Sequence, residues 1–542
     1  MAQDTLLSNR QLIFLYIGFA IVYISGLFIP LMQNDSAQHA TMAMRMALNN
    51  DFLNIYKGDN PYLDKPHMHF WLAAVSMKLF GINPVAYRIP ALLCLALGAF
   101  STKKLAELLY GNKNLGHTAA LMFLSAQTVI LSAHDVRTDA VLTGFVIFAI
   151  WQFVKFIKTQ KLVFVVLAGL GTAVAFSSKG LMTLVIISFS VFAYLLYSRE
   201  WTRFFNFKII AGAVSFAVGV SPMLYAYHHQ FGVDGIKFIL LGQSVARMTG
   251  DGFAATNSDY LFFFHTLLWA FLPFSLLFYV GVFDRTKFFI TSKFKKKIGA
   301  EFLTLGAFWM VMVVFSFSKF KLPHYLNGLI PVLAIFTAAY LFHLYRNREN
   351  KKIKILWIIQ LVVIFTSIIG LGLLINSFTG IPYIGMYMLT AVVFALLLYR
   401  IFGTENLFSK YAYVSALFAI AVNLFLNTQF YPVLTQYQGS IKLAEYVNSH
   451  RLAKQNIYML TNDEAWAFDF YTKQNTPRIE QVDLKPGNLV VVYDGALKDF
   501  KRPYEIVSSA DNFRITKLSL KFLDPARRPG QLSKIYLIKI KG

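Results

Sequence analysis

The chain has 542 residues, of which 56% are hydrophobic and only 14% are charged, and its formal net charge is +24. Soluble domains are about a quarter charged, so this composition excludes an ordinary soluble protein and indicates a membrane protein. The basic residues lie in short clusters between apolar runs, as in cytoplasmic loops, and this argues against nucleic-acid binding. Cys94 is the only cysteine, which excludes an intrachain disulfide and makes redox chemistry an unfavoured function.

Apolar runs of about 20 residues are long enough to cross a bilayer as helices. The first, about Leu12 to Met32, is too long for a signal-peptide core and is predicted to remain as a spanning helix. Thirteen spans are expected in all. The predicted spans cover residues 12–32, 85–106, 117–133, 139–154, 162–177, 181–197, 209–227, 260–283, 300–317, 323–345, 355–375, 381–399 and 411–430.

The basic clusters recur at every second junction between these runs. They lie within residues 103–113, 155–161, 199–208, 285–297, 346–354 and 400–410. Since Lys and Arg concentrate in cytoplasmic loops, the alternation predicts a cytoplasmic N-terminus and, after thirteen spans, a C-terminus outside. The segment 67–81 is too short to span and is expected to lie along the interface.

Beyond residue 431 the composition becomes that of a soluble protein. Segments 456–460, 488–494, 513–522 and 534–540 are predicted strands, and Ser440–Arg451 is a predicted amphipathic helix. The predicted fold is therefore an all-α polytopic membrane domain over residues 1–431, with outer loops 33–84 and 228–259. A small α/β domain over residues 432–542 follows on the outer face.

Charged residues at the predicted outer helix ends are the candidates for function, because a charge at membrane depth costs about 2.5–3.5 kcal/mol or more unless it is paired or hydrated. Asp35 and Asp139 can supply a general base and a second acid. Lysine, arginine and tyrosine side chains nearby can bind a phosphate. The combination predicts transfer of a sugar from a lipid phosphate, with the cations stabilising the departing phosphate.

Five motifs follow one another at these predicted outer ends. They are Asp35, then Tyr62-Leu63-Asp64-Lys65-Pro66, Arg137-Thr138-Asp139, Lys179-Gly180 and Lys321-Leu322-Pro323-His324-Tyr325. In this order they resemble the integral-membrane glycosyltransferases of GT-C fold, above all the bacterial lipid A aminoarabinose transferases and the protein O-mannosyltransferases. The similarity covers nearly the whole chain and includes thirteen spans, an outer C-terminal domain and, within that domain, Phe468–Tyr471.

The resemblance implies a role for each matching residue. Asp35 is expected to be the catalytic base and Asp139 its acidic companion. Lys65, Arg247 and Tyr325 are expected to bind the lipid phosphate, and further candidates surround them. The other candidate donor-binding residues are Tyr62, Lys179, Lys321 and His324, and the other candidate site residues are Asp64, Arg137 and His39.

The chain departs from the family pattern at three positions. Ser36 replaces a glutamate, His67 replaces a second proline, and His39 stands where a tyrosine is usual. Losing the glutamate removes one acid from any divalent-cation site beside Asp35, so a metal is possible but is not expected to be required.

Two other classes of protein are considered beside the enzyme. A secondary transporter or lipid-linked saccharide translocator would use the charges as a substrate pathway, but the charges gather at one face and no inverted repeat is present. A scaffold or receptor subunit would leave the paired aspartates and basic helix start unexplained. The expected partners are a polyprenyl-phosphate-linked sugar donor, membrane lipids and an acceptor that is either a lipid, lipid A included, a glycan or a protein, at a bacterial inner membrane.

Overall fold

The structure is a computed structural model. It describes residues 4–136, 138–252, 257–297, 299–377, 384–461 and 463–542. Helices dominate it, and the strands are confined to a short hairpin and one small sheet.

The chain contains the following elements in these described ranges. The α-helices are α1 (Asn9–Gly26), α2 (Asp35–Asn49), α3 (Met68–Phe80), α4 (Pro84–Tyr110), α5 (Lys113–Ser125), α6 (Gln127–His134), α7 (Asp139–Thr159), α8 (Leu162–Lys179), α9 (Leu181–Ser198), α10 (Trp201–Phe204), α11 (Ile209–Lys237), α12 (Gln243–Thr249), α13 (Phe262–Ala270), α14 (Ser275–Thr291), α15 (Leu303–Phe317), α16 (Ile330–Arg346), α17 (Asn350–Ser377), α18 (Ile384–Ile401), α19 (Leu407–Phe425), α20 (Tyr431–Thr435), α21 (Gly439–Ser449), α22 (Trp466–Thr472), α23 (Asp494–Lys498) and α24 (Leu520–Leu523). The strands are β1 (Tyr56–Lys57), β2 (Asn60–Pro61), β3 (Ile457–Leu460), β4 (Arg478–Ile479), β5 (Leu489–Tyr493), β6 (Tyr504–Asn512) and β7 (Ser533–Ile540).

Each of the thirteen predicted spans overlaps one helix or a pair of consecutive helices, and residues 381–383 of the twelfth lie outside the described residues. Within the described residues, eight helical segments are long and apolar enough to cross a membrane by themselves, and nine if the bent pair α5–α6, at 59°, forms one span. The polytopic helical membrane domain is thus confirmed, whereas the number thirteen is not. The shortfall arises because several predicted spans are short or broken: α15 has only 15 residues.

The predicted outer loop 33–84 is largely helical. Helix α2 is amphipathic and buries most of its first three turns, and α3 is a 13-residue apolar helix. Between them the two-residue strands β1 and β2 pair antiparallel. Polar residues such as Gln38 and Asn49 masked the helical period of α2 in the sequence, because the helix packs against protein and not against lipid.

The predicted outer loop 228–259 is also mainly helical. Helix α11 continues past the apolar run to Lys237 with a break at Gly232, which has φ of 64°, and a π-helical turn, Phe238–Gly242, leads into α12. Hydropathy marks where a span leaves the bilayer, but it does not mark where the helix ends. Residues 253–256 of this segment lie outside the described residues.

The C-terminal residues form a five-stranded mixed sheet in the order β4-β3-β5-β7-β6. Strands β3, β5 and β7 and helix α21 correspond to predicted elements. The predicted strand 513–522 is wrong: this stretch forms a 3-10 turn, Ile515–Lys517, and helix α24, whose Phe522 is fully buried. Strand β6 was missed because its sequence, YEIVSSADN, lacks the apolar alternation of a half-buried strand.

This C-terminal region contacts the segment that leads from α1 into α2. The Tyr471 hydroxyl accepts a hydrogen bond from the Leu31 backbone N–H at 3.0 Å. Thr41 of α2 donates to the Trp466 carbonyl, also at 3.0 Å. Gln438 donates from its side-chain amide to the Leu31 carbonyl at 3.1 Å. These bonds fix the start of α2, and Asp35 is the first residue of that helix.

Candidate active site

Asp35 is an exposed acid in the first turn of α2. The helix is capped by Asn34, whose side-chain oxygen accepts a hydrogen bond from the Ser36 N–H at 2.8 Å. An acidic residue is favoured here by the helix dipole. Burial raises the pKa of Tyr62 well above its ordinary value, and the charges of Asp64 and Asp35 raise it further. Asp35 therefore lies within electrostatic reach of the Tyr62 hydroxyl.

Asp64 connects residues from two distant segments. Its carboxylate forms an ion pair with the neighbouring Lys65 ammonium, and its Oδ1 accepts from the Arg247 guanidinium at 3.2 Å and from the Gln243 amide at 3.1 Å. The side chains of Lys65 and Arg247 are 17% and 10% exposed. Burial alone would raise the pKa of Asp64, but the two cations outweigh it and lower that pKa below its ordinary value.

Tyr325 lies beside Arg247 and a further cation, Lys179. The Arg247 guanidinium is 5.8 Å and the Lys179 ammonium 5.1 Å from the centre of its ring, within the range of cation–π attraction. The Arg247 Nε and the Tyr325 hydroxyl are both buried, and neither has a hydrogen-bond partner among the described residues. Buried donors without partners are rare, and they mark positions where a ligand can supply the acceptor.

Asp139 and Lys179 form a second, deeper pair. Asp139 begins α7 and Lys179 ends α8; they make a salt bridge with side chains 2% and 1% exposed. Gly180 follows Lys179 with φ of 68°, a left-handed conformation that caps α8, so a side chain at this position would be strained. The Lys-Gly motif thereby places the ammonium between Asp139 and Tyr325.

The structure brings together most of the predicted site residues, although not all in one cluster. Tyr62, Asp64, Lys65, Arg247, Tyr325, Lys179 and Asp139 form one connected group. Asp35 lies within electrostatic reach of Tyr62. Lys321 instead donates to the backbone carbonyls of Asn257 and Asp259 at 3.0 and 2.9 Å. The His324 ring packs edge-on against Tyr325, with centroids 5.3 Å apart.

His39 and Arg137 complete the predicted set. His39 is buried in α2, with its ring 5.3 Å from Phe70 and 5.8 Å from His69. His39 thus packs against aromatic rings of α3, whereas the cations Lys65 and Arg247 pair with Asp64. Arg137 lies outside the described residues. Within the part of the chain that the structure describes, no three His, Cys, Asp or Glu residues are grouped as they would be around a metal ion.

Gln243 is a site residue that the sequence analysis did not identify. It contacts both the side chain and the backbone carbonyl of Asp64. Gln243 stands four residues before Arg247, so both lie on one face of a helix. That spacing could have indicated Gln243, but only if the segment had been recognised as helical.

Comparison with known proteins gives a consistent result. A family model described as "Dolichyl-phosphate-mannose-protein mannosyltransferase" matches residues 64–226. An undecaprenyl phosphate-alpha-4-amino-4-deoxy-L-arabinose arabinosyl transferase of Proteus mirabilis is 24% identical over 418 residues, which cover 73% of this chain and 72% of the relative. A transferase of the same description from Pseudomonas savastanoi is 25% identical over 352 residues, which cover 64% of this chain and 63% of the relative.

Among solved structures, ArnT from Cupriavidus metallidurans bound to undecaprenyl phosphate superimposes with a TM-score of 0.72 over 97% of both chains, at 16% identity. The fold of this protein is therefore the ArnT-like GT-C fold, and the resemblance inferred from the five motifs is confirmed. The fold and the sequence similarities together support a glycosyltransferase embedded in a membrane.

Proposed function

We propose that this protein is an inverting glycosyltransferase of the bacterial inner membrane. It takes a sugar from a polyprenyl-phosphate-linked donor and transfers it, at the outer face, to a hydroxyl or phosphate of a lipid or protein acceptor. Lipid A is one candidate acceptor and a protein Ser or Thr side chain is another.

One observation carries the proposal: Lys65 and Arg247, from distant segments, pair with the same Asp64 carboxylate, and Arg247 also lies over the Tyr325 ring. The Arg247 Nε and the Tyr325 hydroxyl are buried there without partners among the described residues. Guanidinium, ammonium and phenol together suit a phosphate, with the arginine able to bind two oxygens at once. The names of the relatives support the choice of lipid, since they specify a sugar linked to undecaprenyl phosphate. The similar ArnT structure has undecaprenyl phosphate bound.

The chemistry follows from the positions of the acids and the cations. Asp35, exposed at the start of α2, takes the proton from the acceptor oxygen, which attacks the anomeric carbon. The bond between that carbon and the phosphate oxygen breaks, and its electron pair leaves with the polyprenyl phosphate. Lys65 and Arg247 stabilise the growing phosphate charge. A single displacement inverts the anomeric centre.

In this proposal Asp139 acts indirectly, from a more deeply buried position than Asp35. Its pairing with Lys179 neutralises a deeply buried charge and holds the ammonium over the Tyr325 ring. We therefore assign Asp139 to positioning the cations and the phenol, while proton removal belongs to Asp35.

The phosphate site is tested by binding of the carrier without its sugar. Undecaprenyl phosphate should raise the Tm of the wild-type protein in detergent, because a ligand that binds only the folded state stabilises it. A triple variant, Lys65→Ala/Arg247→Ala/Tyr325→Ala, should lose that shift. The control triple, Lys237→Ala/Tyr399→Ala/Arg527→Ala, removes the same residue types from exposed positions and should retain it. Equal stabilisation of wild type and the site triple would refute the site.

The orientation has its own test. In a Cys94→Ser background, a cysteine at exposed Ser449 of the C-terminal domain should react with an impermeant thiol reagent on intact spheroplasts. A cysteine at exposed Lys295, in a basic junction, should react only in inverted vesicles. The reverse labelling pattern would show that the predicted topology is inverted.

A further inference from the structure

The carboxylate of Asp64 makes the contacts that a bound phosphate needs. It pairs with Lys65 and Arg247, accepts from Gln243 at 3.1 Å, and lies 3.5 Å from the Tyr62 hydroxyl. Carboxylates and phosphates use the same donors on lysine and arginine. The two anions must therefore compete for these cations.

Asp64 is accessible enough for its carboxylate to leave the two cations and return to them. Its side chain is 43% exposed, whereas that of Asp139, which pairs with Lys179, is 2% exposed. Although burial opposes ionisation, the charges of Lys65 and Arg247 lower the pKa of Asp64 below its ordinary value and so favour the charged carboxylate. A charged and accessible carboxylate can leave the cations when a phosphate arrives and return when the phosphate departs.

We propose that Asp64 is an internal counter-ion that competes with the polyprenyl phosphate and promotes its release after transfer. The proposal rests on the function proposed above. The donor is a phosphodiester with one negative charge, whereas the product is a monoester that carries up to two, since its second pKa is about 6. A neighbouring carboxylate repels the product more than the donor, so it opposes product inhibition selectively.

The simpler role for Asp64 is structural, and it predicts the opposite result. If the carboxylate only holds Lys65 and Arg247 in place for the phosphate, its loss should disorder them and weaken phosphate binding. If it competes with the phosphate, its loss should strengthen binding. The sign of the change in affinity separates the two roles.

The test is Asp64→Asn, which keeps the side-chain shape and an oxygen for Gln243 but removes the charge. The dissociation constant for undecaprenyl phosphate should fall by roughly 3-fold to 10-fold, and the gain should shrink at high salt because the competition is electrostatic. With labelled donor, inhibition by undecaprenyl phosphate should become stronger while the KM for donor changes less. Asp64→Ser provides a second neutral variant if Asp64→Asn does not fold.

Asp59→Asn is the matched control. Asp59 lies five residues earlier in the same segment, pairs with Arg45 at 3.5 Å and is 67% exposed. Its loss makes the same change in net charge and should leave the affinity for undecaprenyl phosphate unchanged.

Each outcome bears on one of the two proposals. Tighter binding by Asp64→Asn alone supports competition. Unchanged or weaker binding by that variant, with normal binding by wild type, overturns the counter-ion role and leaves the phosphate site intact. Absence of binding by wild type would refute the phosphate site itself and the counter-ion role with it.

Discussion

Two aspartates, Asp35 and Asp139, begin helices in this protein and look equivalent in the sequence, but they occupy opposite environments. Asp35 is exposed at the first turn of α2, and Asp139 is 2% exposed at the first turn of α7, paired with an equally buried lysine. An acid that must accept a proton from an incoming substrate needs access. An acid paired inside the protein already has a partner for its charge. In the function proposed above, burial, and not residue type, separates the catalytic aspartate from the positioning one.

The largest expected effect is on turnover by Asp35→Asn, which keeps the shape of the side chain but removes the base. The kcat should fall by about 100-fold to 10,000-fold, as general-base catalysis contributes on that scale. Binding of undecaprenyl phosphate should be retained. Asp35→Glu, which restores a carboxylate, should recover part of the rate. Near-normal transfer by Asp35→Asn would show that Asp35 is not the general base. The proposed difference in role between the two aspartates would then be refuted.

Lys179→Met breaks the comparison from the other side, because it removes a cation that forms a salt bridge with buried Asp139. Removing one partner of a buried pair typically costs about 3–5 kcal/mol of stability. Thermal or denaturant unfolding in detergent should show this loss. The double variant Asp139→Asn/Lys179→Met should be more stable than Lys179→Met.

Lys65→Met is the matched control for that measurement, since it removes a lysine from the more accessible cluster. The Lys65 side chain is 17% exposed and that of its partner Asp64 is 43% exposed, so this variant should lose donor binding with a smaller loss of stability than Lys179→Met. A similar loss of stability in both lysine variants would show that the two clusters do not differ in the way proposed.

Arg247→Lys tests whether the accessible cluster recognises a phosphate by geometry as well as by charge. Lysine keeps the charge but cannot reproduce the planar two-point contact. Losing one charge-assisted hydrogen bond should weaken undecaprenyl phosphate binding by about 1.5–3 kcal/mol in a titration. Arg527→Lys, an exposed arginine paired with Asp524, should leave the affinity unchanged. If Arg247→Lys binds undecaprenyl phosphate with full affinity, residue 247 attracts the phosphate by charge alone.

Tyr325→Phe has the smallest expected effect, but it should change stability and phosphate affinity in different ways. The hydroxyl is buried without a partner among the described residues, so its removal should leave the free energy of unfolding unchanged or slightly increased. If the hydroxyl binds the phosphate, affinity should fall by about 0.5–1.5 kcal/mol, that is, about 2-fold to 10-fold. A destabilised Tyr325→Phe with normal affinity would assign the hydroxyl to folding.

The apolar runs were sufficient to predict the helices of the membrane domain, and five short motifs were sufficient to predict its similarity to known transferases. Prediction was weaker wherever a helix packs against protein. Helix α2 and the continuation of α11 into α12 were taken as loops, because their polar residues interrupt the apolar pattern that marks a span. The strand predicted at 513–522 failed for the related reason that Phe522 is buried by a tertiary cluster and not by a sheet.

By itself the sequence determined which segments are apolar, where basic clusters alternate, and which polar residues stand at the helix ends. These are local properties, set by transfer of side chains between water and lipid. Only the tertiary structure decided that Asp64 contacts Arg247, more than 180 residues away, and that Lys179 pairs with Asp139 beside the Tyr325 ring. Such pairings depend on how helices pack, and packing is fixed by the shapes of whole surfaces that no short stretch of sequence contains.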